Sequence, residues 1–140
     1  MRGRPAANGG RDWKRDLARA AREARSHAYA PYSHFRVGAA VRVAGRVFTG
    51  CNVENSSYGL TLCAERVAVA RAVAEGARRL DAVAVASSTA PPAPPCGMCL
   101  QTLAEFGGPE TQVLLVGPRG PAVETTLGAL LPRAFSRRYL

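Results

Sequence analysis

The sequence predicts one α/β domain, with helices packed on the faces of a single sheet. Three observations lead there. Apolar runs and breakers follow the order α-β-β-α-β-α-β-α, and strand–helix–strand alternation implies a sheet with parallel pairs. The 140 residues suit one core and not two. Apolar residues make up 47% of the chain, enough to fill that core.

Residues 1–11 are rich in Gly, Pro, Asn and Arg and read as a flexible basic tail, which leaves 12–140 as the single domain. Asp12 suits the cap of a helix to about His27, with Trp13, Leu17, Ala20, Ala21 and Ala24 near one face and Trp13 as its anchor. Pro31 and the polar residues around it end that helix. Strands are expected over 35–43 and 46–53, joined at Ala44-Gly45. The polar stretch 55–61 is a loop. A helix starting at Thr61 or Leu62 runs to about Glu75 and stops at Gly76. Residues 81–88 form an apolar run of strand length. Pro91, Pro92, Pro94 and Pro95 exclude helix and strand interior and deliver Cys96 in a constrained loop. A short helix over 99–106, a strand over 112–116 and a helix from Thr125 or Thr126 to Leu131 complete the order.

The formal net charge is +9. The excess sits at the ends: residues 1–25 carry +5, residues 133–140 carry +3, and the long middle only +1. Polybasic ends recognise no base edges, so no nucleic-acid partner is expected. No apolar run approaches the roughly 18–20 residues that span a bilayer, so no membrane partner is expected. The first residues, Met1-Arg2-Gly3-Arg4-Pro5, lack the apolar stretch of a secretory signal, and the expected location is the cytoplasm. No heptad, G-x-y or longer repeat is present.

The cysteines carry the chemistry. A cytosolic chain seldom keeps structural disulfides, so Cys51, Cys63, Cys96 and Cys99 point to a metal site or to plain burial. Cys96-Gly97-Met98-Cys99 follows Pro95 at a helix start, and Cys63-Ala64-Glu65-Arg66 opens another helix, so Cys63 and Cys99 are both expected in first turns. Helix starts carry unpaired N–H groups and partial positive charge, which favour thiolate over thiol. Two such starts facing each other would place Cys63, Cys96 and Cys99 around one Zn²⁺ and leave a fourth tetrahedral position for water, as in a catalytic site. A Cys-x-Glu start followed downstream by Pro-Cys-x-x-Cys is the zinc nucleobase deaminase signature.

Hydrolytic deamination needs a nucleophile active at neutral pH, which zinc supplies by acidifying water, and a proton carrier. Glu65 is the carboxylate whose spacing sets it beside the water without ligating the metal. Three thiolates on Zn²⁺ leave a net charge of about −1, and Arg66 is the neighbouring cation suited to offset it. Cys51 reads as a small core residue. His27 and His34 do not sit at ligand spacing.

Beyond the zinc motif the chain resembles the tetrameric cytidine deaminase family. The match runs from about Tyr32 to Phe106, and more loosely to Phe135. It rests on Pro31-Tyr32-Ser33-His34-Phe35-Arg36-Val37-Gly38-Ala39-Ala40, on Gly50-Cys51-Asn52-Val53-Glu54-Asn55-Ser56-Ser57-Tyr58, and on the two cysteine motifs. The resemblance implies a three-layer α/β/α sandwich with a mixed sheet, one zinc per subunit, a homotetramer, and deamination of free cytidine and deoxycytidine in pyrimidine salvage. It implies that Asn52 and Glu54 bind the ribose hydroxyls and that Phe35 packs near the pyrimidine. It adds Asn55 and Ala64 to the substrate contacts, Ser56 and Tyr58 to the loop completing a neighbouring subunit's site, and Phe135 as an aromatic near it. The chain departs from the family's pattern at Leu100, where Arg is common, and in its basic C-terminus. These departures leave a second expectation open: the same chemistry on a related aminopyrimidine nucleoside, of blasticidin type or a modified cytidine.

Overall fold

Successive residues of a strand point to opposite faces, so a strand apolar at every position must be covered on both sides. The strands at the centre of this fold are of that kind. The computed structural model describes residues 12–140, and the basic tail expected over 1–11 lies outside the described residues. Helix α1 (Asp12–Arg25) leads into the hairpin β1 (Gly38–Val43) and β2 (Arg46–Cys51). Then follow α2 (Ala64–Ala74), β3 (Ala82–Ala86), α3 (Gly97–Phe106), β4 (Gln112–Val116), β5 (Val123–Thr126) and α4 (Leu127–Leu130). The sheet order is β2-β1-β3-β4-β5.

One set of alternate residues, Ala40, Ala82, Ala84, Ala86, Leu114 and Val116, packs against Leu17, Ala18 and Ala21 of α1. The other set, including Ala39, Val41, Val83, Val85, Val113 and Leu115, packs against α2, α3 and α4 through Ala68, Val69, Leu103 and Leu127. The result is a three-layer α/β/α sandwich with a mixed sheet, as expected. The four alanines on the first face leave room for α1 to lie close to the strands. Gly38 removes the last obstacle there: a Cβ would meet the Ala21 carbonyl oxygen at 2.1 Å.

Within the mixed sheet, β3 and β4 form the parallel strand pair and the three other strand pairs are antiparallel. The reason is the hairpin, which returns the chain so that β3 enters beside β1 in the opposite sense. Strand β5 was not expected, because Val123–Thr126 is a mostly exposed edge with no apolar alternation, and its pairing to β4 defines it. Thr126, one of the two expected helix starts, caps α4 by accepting from the Ala129 N–H at 3.2 Å. Residues 35–37 leave the ladder expected for them and form a loop after His34, whose φ is 58°. Ala44 and Gly45 make the hairpin turn with φ of 49° and 81°. Trp13 is partly buried against the α1-side core, with the Arg42 guanidinium 4.8 Å above its ring. Among the described residues no helix is long and apolar enough to cross a membrane.

Helix α2 lies against β2 through Gly50, where a Cβ would meet the Ala68 nitrogen at 2.5 Å and the Ala64 oxygen at 2.6 Å. Both are backbone atoms, so the helix itself would have to move. Gly50→Ala is expected to cost about 2–3 kcal/mol. In urea unfolding its midpoint should fall while the slope stays unchanged.

Candidate active site

Two helix starts meet at the C-terminal side of this packing. Cys63 is the N-cap of α2 and Cys96 the N-cap of α3, and neither side chain accepts a capping bond from a backbone N–H of its own helix. Cys99 lies in the first turn of α3, as expected, whereas α2 starts at Ala64, two or three residues later than expected, which leaves Cys63 at the cap itself. The three sulfurs all lie within 4.8 Å of one another. Among the described residues this is the one group of His, Cys, Asp and Glu that could hold a metal. Cys51 is half-buried and outside it, and His27 and His34 are exposed and outside it.

The electrostatics follow from burial and partners. A hydrogen bond from the Cys99 thiol, helped by the Arg66 guanidinium, pushes Cys63 down to about 5. The proton that Cys99 donates is held there, so its own thiol is pushed up, with burial adding to the effect. Of this pair, Cys63 is the thiol that ionises more readily. Arg66 donates from Nη2 to the Thr61 carbonyl at 2.7 Å, while its Nε is buried without a hydrogen-bond partner. A buried guanidinium N–H without a hydrogen-bond partner, on a side chain that also acts on Cys63, fits a centre of excess negative charge. Soft sulfur donors at this spacing fit Zn²⁺, with one ion per chain and Arg66 offsetting the surplus charge of three thiolates.

A cavity of about 280 Å³ opens over these sulfurs. Its walls include Cys63, Cys96, Ala64 and Glu65 at the metal end, and Phe35, Asn52 and Glu54 at the other. Glu65 is only 4% exposed. Burial, and then the charge of Cys63, raise its pKa above the usual carboxylate range. A carboxyl that takes up a proton easily thus stands next to the three cysteines.

At the mouth the polar groups are already engaged. Asn52 Oδ1 accepts from the Val37 N–H at 2.8 Å, and its Nδ2 donates to the Phe35 carbonyl at 2.7 Å. Glu54 accepts from the Tyr32 and Ser33 N–H groups at 2.9 and 3.1 Å and from the Ser33 hydroxyl. These bonds, led by the hydroxyl's, hold the Glu54 carboxyl below its ordinary pKa.

Asn55, Ser56, Tyr58 and Phe135 do not line this cavity. Asn55 turns its own loop by accepting from the Ser57 N–H at 2.8 Å. Tyr58 is 75% exposed and packs beside Tyr32, and Phe135 is 58% exposed and stacks on Tyr139. Leu100 is buried in the core under α2 and α3 and takes no part in the site. The sequence reading did not single out Ser33, Ser87, Leu62, Ala93 or Pro94, which also line the cavity. Only Ser33 carried a signal, as part of the motif around Phe35.

An α/β/α sandwich holding three thiols at paired helix starts, with a buried carboxyl beside them, defines a zinc-dependent deaminase-type hydrolase. The family model described as "Cytidine and deoxycytidylate deaminase zinc-binding region" matches residues 11–115. A cytidine deaminase of Sporosarcina psychrophila is 47% identical over 120 residues, covering 85% of this chain and 88% of the relative. One of Mycobacterium tuberculosis is 49% identical over 125 residues, covering 89% and 90%. The crystal structure of cytidine deaminase from Burkholderia pseudomallei superposes with a TM-score of 0.83 at 49% identity, covering 86% of this chain and 98% of that one. The chain belongs to the cytidine deaminase family.

Cys96→Ser is expected to lower the bound zinc well below the roughly one equivalent of the parent, while Cys51→Ser keeps it. Metal analysis of the dialysed proteins measures both.

Proposed function

We propose that the chain hydrolyses free cytidine and deoxycytidine to uridine and deoxyuridine with release of ammonia. It acts as a single domain over 12–140, in the cytoplasm, in pyrimidine salvage. The observation that carries this reading is the buried Glu65 carboxyl sharing one cavity with Cys63 and Cys96, whose sulfurs lie within 4.8 Å of that of Cys99. Bound zinc supplies Lewis acidity and lowers the pKa of water to near 7.

In this reading Cys63, Cys96 and Cys99 hold the metal. The Glu65 carboxylate takes one proton from the attacking water and gives it to ring N3, then takes the second from the hydroxyl formed on C4 and gives it to the amino group, which leaves as ammonia while C4 becomes a carbonyl. Its raised pKa suits that exchange, because a proton carrier works best when its pKa approaches the working pH. The Ala64 backbone lies at the start of α2, where its N–H is a free donor for the pyrimidine. Phe35 packs on the ring. Asn52 offers its second Nδ2 hydrogen, and Glu54 its remaining lone pair, to the ribose hydroxyls. A neighbouring subunit placed over the open mouth of the cavity would leave room for a free nucleoside but not for a strand.

The homotetramer is part of the same proposal. The exposed aromatics Tyr58 and Phe135 support it, since association gives such residues an apolar partner. Asn55, Ser56, Tyr58 and Phe135 then act from one subunit on the site of another. Sedimentation is expected to return about four times the chain mass of 14.8 kDa.

Glu65→Ala is expected to keep its zinc and to lose activity on cytidine by a factor of roughly 10² to 10⁴. An ultraviolet assay of purified protein measures this. Turnover at the parent rate by the variant would overturn the proposed role. Chelation should abolish activity and added zinc restore it.

A further inference from the structure

The loop over 32–37 follows no strand ladder, yet it carries the Phe35 ring into the cavity wall. Hydrogen bonds from elsewhere must therefore fix it. The Phe35 carbonyl is taken by Asn52 Nδ2 at 2.7 Å, and the Phe35 N–H donates to Ser33 Oγ at 3.0 Å. The same Ser33 hydroxyl donates its proton to Glu54 Oε2, while Glu54 Oε1 accepts from the Tyr32 and Ser33 N–H groups. Among the described residues, Ser33 is the one whose side chain bonds both to Glu54 and to the backbone of Phe35.

We propose that Ser33 is a positioning and specificity-determining residue of this site: its hydroxyl locks the Glu54 carboxylate and the Phe35 backbone into one frame, so that the carboxylate's open lone pair faces the sugar hydroxyls of the substrate. The inference rests on the deaminase reading and on Glu54 as the sugar acceptor, and adds the group that aims it.

A carboxylate has about four acceptor directions, and the loop fills three of them. The Ser33 hydroxyl occupies Oε2, so it decides which direction is left. Asn52 is restricted in the complementary sense: its oxygen and one N–H are engaged, and the second N–H is left to donate. The mouth thus offers one fixed donor and one fixed acceptor, a pairing that suits a vicinal diol. Only a hydroxyl both donates to Glu54 and accepts from Phe35. Ala does neither, and Thr does both. The Ser33 bond is also the largest cause of the lowered Glu54 pKa, as expected of a hydroxyl donating to a carboxylate.

The test compares parent, Ser33→Ala and Ser33→Thr on cytidine and on 2′,3′-dideoxycytidine, which lacks the hydroxyls that Glu54 would bind. For Ser33→Ala, kcat/KM on cytidine should fall about 10-fold, mostly through KM, and on dideoxycytidine less than about 2-fold. Ser33→Thr should recover most of the cytidine value. A merely structural lesion would lower both substrates by the same factor, and that result, or an unchanged Ser33→Ala, overturns the proposal while leaving the deaminase reading intact. A parent that turns over neither substrate overturns the deaminase reading and this proposal with it.

Discussion

Cys63 and Cys96 each occupy an N-cap position without capping their helix. Two helix starts therefore keep unpaired N–H groups directed toward one small volume, and three sulfurs gather in it. The partial positive charge of each start, about half an elementary charge, favours thiolate there. Everything else about the site depends on holding those two starts together. Gly50 lets α2 lie against β2 at backbone contact distance, and the parallel pair β3 and β4 carries α3 alongside α2. A longer side chain at Gly50 would move the first turn that carries Ala64, and with it both Cys63 and Glu65.

Charge is managed locally and in layers. Cys63 ionises readily because Cys99 and Arg66 stabilise its thiolate. Glu65, buried beside that thiolate, is biased the other way and holds its proton more tightly than an ordinary carboxylate. Two acidic groups close together are thus driven apart in pKa by their surroundings, the arrangement that separates a ligand from a proton carrier. Arg66, in the same helix turn, is the cation that acts on Cys63. The basic ends of the chain, which hold most of the +9, take no part in this balance.

The mouth of the cavity obeys a different constraint. Its loop has no ladder, so side chains replace it: Asn52 on the carbonyl of Phe35 and the nitrogen of Val37, Glu54 on the nitrogens of Tyr32 and Ser33. Residues that the family resemblance assigns to substrate also build the wall. The two duties are compatible because an amide and a carboxylate have more bonding directions than the loop consumes.

The helices, most strands and the zinc motif were legible in the sequence because they rest on local rules. Gly76 and the Pro-rich run mark ends, apolar spacing marks faces, and Cys-x-Glu with Pro-Cys-x-x-Cys states a ligand set by spacing alone. Four things were not legible: the mostly antiparallel sheet, the edge strand β5, the cap position of Cys63, and the part of Ser33 in the mouth. Each depends on a contact across a large sequence distance. Strand β5 exists only through backbone bonds to β4, and Ser33 meets Glu54 only because residues 29 and 53 pair. Residue types and their spacing along the chain name the atoms able to bind a metal and move a proton. That those atoms meet at one point follows from packing, because a strand end, two helix starts and a loop come together there only in the folded chain.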